Sequence, residues 1–143
     1  MLTSACRYGV LAMIHLARNV DAGFIPVRQI GNDLDVSNPF LSKIMQQLVA
    51  HDLVVSLRGP TGGVKLSKSA SSIVLNDIVE AIDGRKMLES CVLGLPGCGS
   101  NAPCPLHETW TSVRTDFCQM LENTTVATLA KNTDEQGLRL VPG

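Results

Sequence analysis

Hydrophobic positions along the chain follow three spacings, and each spacing predicts its own kind of element. Between Thr3 and about Asn19, Val10, Met13, Ile14 and Ala17 recur at intervals of three and four, so they share one helical face. Asp21, Gly23 and Pro26 end that helix. A shorter helix repeats the spacing at Val27, Ile30, Gly31 and Leu34 and stops at Asp35-Val36-Ser37. Asn38 is a candidate N-cap, followed by Pro39 and by a third helix with Leu41, Ile44, Met45 and Leu48 on its inner face. From Leu53 to Arg58 the chain is rich in β-branched residues and too short for another helix. Gly59-Pro60-Thr61-Gly62-Gly63 then predicts a turn and Val64-Lys65-Leu66 a returning strand. A fourth helix, Leu75 to Asp83, turns Leu75, Ile78, Val79 and Ile82 inward and stops at Gly84.

The pattern then changes. Over 85–105, Gly94, Pro96, Gly97, Gly99, Pro103 and Pro105 forbid a long regular element. From Leu106 onward, Leu106, Trp110, Val113, Phe117 and Met120 alternate spacings of four and three like a coiled-coil seam, which predicts a helix that pairs with a second copy. The residues from about Thr133 are polar and are expected to fray.

These elements predict a mainly α fold: a winged helix-turn-helix with a small β-hairpin wing and a long C-terminal dimerisation helix. The expected divisions are 1–84 for DNA binding, 85–105 as a ligand loop, 106–132 for the dimerisation helix and C-terminal segment, and 133–143 as a disordered tail. In such a fold the third helix enters the major groove of double-stranded DNA. With its apolar residues inward, Asn38 and Pro39 stand at its start, and Ser42, Lys43, Gln46 and Gln47 lie on the outer arc. Lys43 suits a phosphate or guanine, and either glutamine suits an adenine edge. Arg58 and Lys65 flank the glycine-rich tip, placed for phosphates or a minor groove. The bland alternative is that these polar residues only solvate an exposed face.

Composition changes this picture little. Aromatics are 3% of 143 residues, so the core must be aliphatic. The net charge of -1 argues against a uniformly basic nucleic-acid binder. It conceals a polarity, however: residues 1–68 hold seven Lys or Arg against four Asp, and residues 69–143 five basic against nine acidic. No apolar run approaches a membrane span, and the opening stretch, interrupted by Arg7, His15 and Arg18, reads as a buried helix rather than a secretion signal. A cytoplasmic location is therefore expected.

In a reducing compartment, five cysteines suit metal ligation or thiol chemistry better than disulfides. Cys91, Cys98 and Cys104 fall within fourteen residues of loop, and His107 follows Cys104 by three, at the first turn of the next helix. Three thiolates and an imidazole can complete the ligation of an iron-sulfur cluster or of one zinc. The gaps are wider than those of paired zinc-finger knuckles, which favours the cluster, with 2Fe-2S ahead of 4Fe-4S. Structural zinc and three free thiols are the alternatives, and for His107 an ordinary surface role is nearly as good a reading. Cys118 reads as a small core residue, and Cys6 as either core or a neighbour of a partner's loop.

Several motifs occur together in order: LTSACRYGVLAM, NPFLSKIMQQLVAHDLV, RGPTGGVKL, IVEAIDG and CVLGLPGCGSNAPCPLH. On these the chain resembles bacterial winged-helix regulators of the Rrf type over roughly residues 1–130. The resemblance implies a homodimer on a partly palindromic operator, with a cluster responding to oxygen, nitric oxide or iron-sulfur supply. It maps Cys91, Cys98 and Cys104 onto the cysteine ligands and His107 onto a histidine ligand of some members. Two departures stand out. The first cysteine gap is six residues where familiar members have five, and Arg7 occupies the neighbourhood where some nitric-oxide sensors supply an aspartate.

The leading expectation is thus a DNA-binding regulator that senses through an iron-sulfur cluster. A cluster-free thiol switch on the same scaffold is the second reading, and an electron-transfer or cluster-delivery protein the third. No phosphate loop, metal-histidine-glutamate motif or nucleophile setting supports an enzyme.

Overall fold

The computed structural model describes residues 2–97, 99 and 101–141. Helix α1 (Ser4–Arg18) runs through the centre, and the other elements pack around it. Thr3 caps it: its hydroxyl accepts from the Cys6 N–H at 3.1 Å, while its own N–H and hydroxyl donate to the Asp83 carboxylate. Met13 and Ala12 are fully buried.

Helices α2 (Val27–Leu34) and α3 (Asn38–Ala50) form the helix-turn-helix. The turn is tight because Asp35 takes a left-handed conformation (φ 54°), which Asp tolerates, and the Val36 N–H reaches back to the Gly31 carbonyl at 2.9 Å. A Cβ on Gly31 would stand 2.9 Å from the Val36 carbonyl oxygen, so glycine there lets the turn close. Leu41, Ile44, Met45 and Leu48 are buried, as their spacing predicts. The cap differs by one position from expectation: Ser37 is the N-cap, Asn38 is the first helical residue and Pro39 follows it.

Strands β1 (Val54–Leu57) and β2 (Gly63–Leu66) pair antiparallel, with Val54 opposite Leu66 and Leu57 opposite Gly63. The wing is braced from outside, because Ile25 forms a further antiparallel bridge with Val64. A Cβ on Gly63 would overlap the Ile25 carbonyl, so only glycine permits that approach.

Helix α4 (Leu75–Ile82) packs on α1 and α3. The loop after it contains one short helix, α5 (Lys86–Glu89), within the stretch expected to be irregular. The seam helix is α6 (His107–Asn123), which docks on α4 through a small cluster of Cys6, Val79 and Leu121. The chain does not end there. Thr124 and Thr125 pair with the segment before α4, and α7 (Val126–Gln136) packs along α1.

The expectation of a disordered tail from 133 needs correction over its described part. Thr133 is buried, its hydroxyl donating to the Leu129 carbonyl at 2.7 Å, and Asp134 accepts from Arg18 Nε at 2.7 Å. Leu140 and Val141 lie half-buried against the core. Polar composition misleads here, because a helix with one apolar stripe can be mostly polar and still dock.

Candidate nucleic-acid interface and cysteine site

On α3 the inner residues are fixed by the core, so the outer arc follows from helical geometry. Asn38, Pro39, Lys43, Gln46 and Gln47 are exposed, and Ser42 is half-buried. Lys43, Gln46, Gln47 and Ala50 line one shallow groove along the helix. Arg58 and Lys65 are exposed on the wing. Lys65 is already engaged, its Nζ lying 4.6 Å from the centre of the Phe24 ring. Phe24 has no place in the sequence-based interface, because nothing in the local pattern links it to the wing.

The cysteine site is built by a loop pinned at both ends. Cys91 is buried and Cys104 half-buried, and their sulfurs lie 3.5 Å apart. Backbone N–H groups of Leu95, Leu93 and Gly94 turn toward the Cys91 sulfur and, with Cys104, lower its pKa, outweighing the opposing effect of desolvation. Such a ring of donors stabilises a thiolate, which is the form that ligates metal. At metal-sulfur bonds of about 2.3 Å, two tetrahedral thiolates stand about 3.8 Å apart, so this pair fits a soft metal centre with little adjustment.

The His107 N–H donates to the Cys104 carbonyl at 3.0 Å, which puts the imidazole one turn from that sulfur at the start of α6. His107 also borders an open groove on α6 with Glu108, Thr111 and Ser112. Cys98 lies outside the described residues. Among the described residues, no three His, Cys, Asp or Glu side chains converge as a metal site.

Trp110, expected on the pairing seam, has a further contact that spacing does not predict: its indole N–H donates to the Ser90 carbonyl at 3.0 Å, fastening the residue before Cys91 to α6. A tryptophan one turn after the candidate histidine is the only hint the sequence carries. The remaining cysteines stand apart. Cys6 is fully buried beside Asp83, and burial first, then that carboxylate, push its thiol up to about 12. Cys118 is half-buried on α6.

No helix of the described residues is long and apolar enough to cross a membrane. The Rrf2 family, described as iron-dependent transcriptional regulators, matches residues 2–132. The transcriptional regulator IscR of Escherichia coli is 34% identical over 131 residues, which cover 92% of this chain and 80% of IscR. Among solved structures, CymR, the global cysteine regulator of B. subtilis, matches with a TM-score of 0.81 at 28% identity, covering 94% of this chain and 98% of CymR. IscR of T. potens matches in fold, with a TM-score of 0.77 at 23% identity over 97% of this chain and 92% of that one. These relatives regulate transcription rather than catalyse a reaction. The winged helix, the motif order and these likenesses agree: the chain belongs to the Rrf2 family of transcriptional regulators.

Proposed function

We propose that this chain is a homodimeric, cytoplasmic regulator that binds an operator through α3 and the wing and senses through an iron-sulfur cluster held by Cys91, Cys98 and Cys104, with His107 as fourth ligand. The observation that carries the reading is the Cys91–Cys104 pair, two sulfurs 3.5 Å apart with backbone donors turned toward one of them. The likeness to IscR supports it, and three sulfurs with one nitrogen suit 2Fe-2S. When bound, the group would supply a reversible electron change or a site that oxidants and nitric oxide attack.

The chain's own residues make that chemistry consequential. Trp110 holds the loop to α6 through Ser90, a direct link by which a change at the loop would reach the helix. Leu121 and Cys6 seat the same helix against α4 and α1. Beside these anchors, Leu106 just before α6 and Val113 and Met120 on it are exposed, each about half accessible. Beside Met120 lies an apolar groove of about 350 Å³ lined by Leu2, Val10, Leu11 and Leu75. A second copy of α6 would bury these exposed residues and couple the loop to the spacing of two recognition helices.

The test is anaerobic purification with an absorption spectrum, iron and acid-labile sulfide counts, and chain mass in solution. Brown, dimeric protein that loses both iron and sulfide in Cys98→Ala is expected. A colourless preparation without iron overturns the cluster.

One observation favours a second reading. Sulfurs 3.5 Å apart need to approach by only about 1.5 Å to reach disulfide length, and an oxidised form of CymR from Staphylococcus aureus has been solved. A Cys91–Cys104 disulfide found by mass mapping of aerobically oxidised, iron-free protein that has also changed its DNA affinity would select the thiol switch.

A further inference from the structure

The wing is braced by a segment that the winged-helix reading leaves without a task. Ile25 and Val64 exchange two backbone hydrogen bonds, both 2.9 Å, and both residues are buried. In an antiparallel bridge the residue before one partner faces the residue after the other, so Phe24 stands directly across from Lys65. Their side chains meet as that register requires, with the Lys65 ammonium 4.6 Å from the Phe24 ring centre.

From this geometry we infer that Phe24 is a positioning residue for DNA binding, holding Lys65 ready for a backbone phosphate. A ring differs from a carboxylate as the partner of a lysine. It attracts the ammonium through its quadrupole but leaves the full positive charge uncompensated, and it occupies only one side of a group with three N–H donors. Among the described residues no carboxylate pairs with Lys65. The lysine therefore stays able to neutralise a phosphate, while the ring removes part of the side-chain freedom that binding would otherwise have to remove. The buried Ile25–Val64 bridge makes the support rigid, and Gly63 lets the two backbones come close enough to form it.

The inference rests on the reading of Lys65 as a DNA contact, and the experiment separates the two. Affinity for a mixed-sequence duplex of about 30 base pairs is measured across a salt series, since phosphate binding needs no operator. The proteins are the full-length chain, Phe24→Leu, Phe24→Trp, Lys65→Met, Lys43→Met and the Phe24→Leu, Lys65→Met double variant.

Phe24→Leu is expected to weaken binding about threefold per wing, and so about tenfold in a dimer, with an unchanged salt slope because the same phosphates are still neutralised. Phe24→Trp should bind at least as well as the parent. Lys65→Met should lower the salt slope by about one per wing. In the Lys65→Met background Phe24→Leu should have no further effect.

Loss of affinity on Phe24→Leu that is as large without Lys65 makes the ring merely structural and overturns the inference, as does parental affinity in Phe24→Leu. Lys65→Met with parental affinity and slope overturns it too, while a lowered slope in Lys43→Met leaves the recognition helix as a DNA contact. Absence of duplex binding by the parent overturns the DNA reading itself.

Discussion

At the scale of single residues, the informative side chains are those whose surroundings differ from their kind. Cys6 and Cys91 are both buried thiols, yet their ionisation is pushed in opposite directions. Around Cys91 the chain turns N–H groups toward sulfur; around Cys6 it offers apolar neighbours and a carboxylate. The sign of the consequence for Cys6 is definite. Its folded pKa of about 12 lies above the ordinary 9.0, so its favourable contribution is complete below 9.0 and is lost as pH rises toward 12. Cys6→Ala should therefore recover ground against the parent over that window. Thermal unfolding of both proteins between neutral pH and strongly alkaline pH checks this, and a constant difference would show that Cys6 ionises equally in folded and unfolded chains.

At the scale of elements, α6 combines docking and loop anchoring on one face and leaves the neighbouring stripe exposed. Leu121 docks it, Trp110 ties the cysteine loop to it, and Val113 and Met120 remain exposed. Trp110→Phe keeps the ring and removes the indole donor to Ser90. A net hydrogen bond of this kind contributes about 1 kcal/mol, so the amides of residues 91–97 should exchange with deuterium about fivefold faster while α6 keeps its protection. Uniform acceleration over the whole chain would mean that Trp110 serves global stability instead. Helices α1 to α4 and α6 were legible from spacing, whereas α5 and α7 were not, and the inner residues of α3 were correctly predicted one by one. The dual use of α6 was not, because a seam residue and a loop anchor have the same periodicity.

At the scale of the whole molecule, the C-terminal segment completes the DNA-binding core instead of following it. Val126 is fully buried, its N–H donates to the Ile73 carbonyl at 2.9 Å, and α7 lies along α1. Val126→Asp would place an unpaired carboxylate there, at a cost of several kcal/mol against a total stability of about 5–15 kcal/mol for such a domain. Duplex binding should fall with the melting temperature although α3 and the wing are untouched. Parental duplex affinity and melting temperature in this variant would show that α7 is dispensable to the core.

By itself the sequence determined the local structure: which faces of α1 to α4 are apolar, where the wing turns, and that three cysteines share one loop. Periodicity and turn chemistry act over a few residues, so they can be read along the chain. Only the tertiary structure decided what meets those faces. It brought Cys91 to Cys104, set Phe24 across from Lys65, buried Cys6 under α6 and returned α7 to α1. Each of these depends on how distant segments close on one another. The Ile25–Val64 bridge uses only backbone groups that nearly every residue carries, and the Trp110 indole finds its partner in the backbone carbonyl of Ser90, so in neither case does the residue type announce the partner.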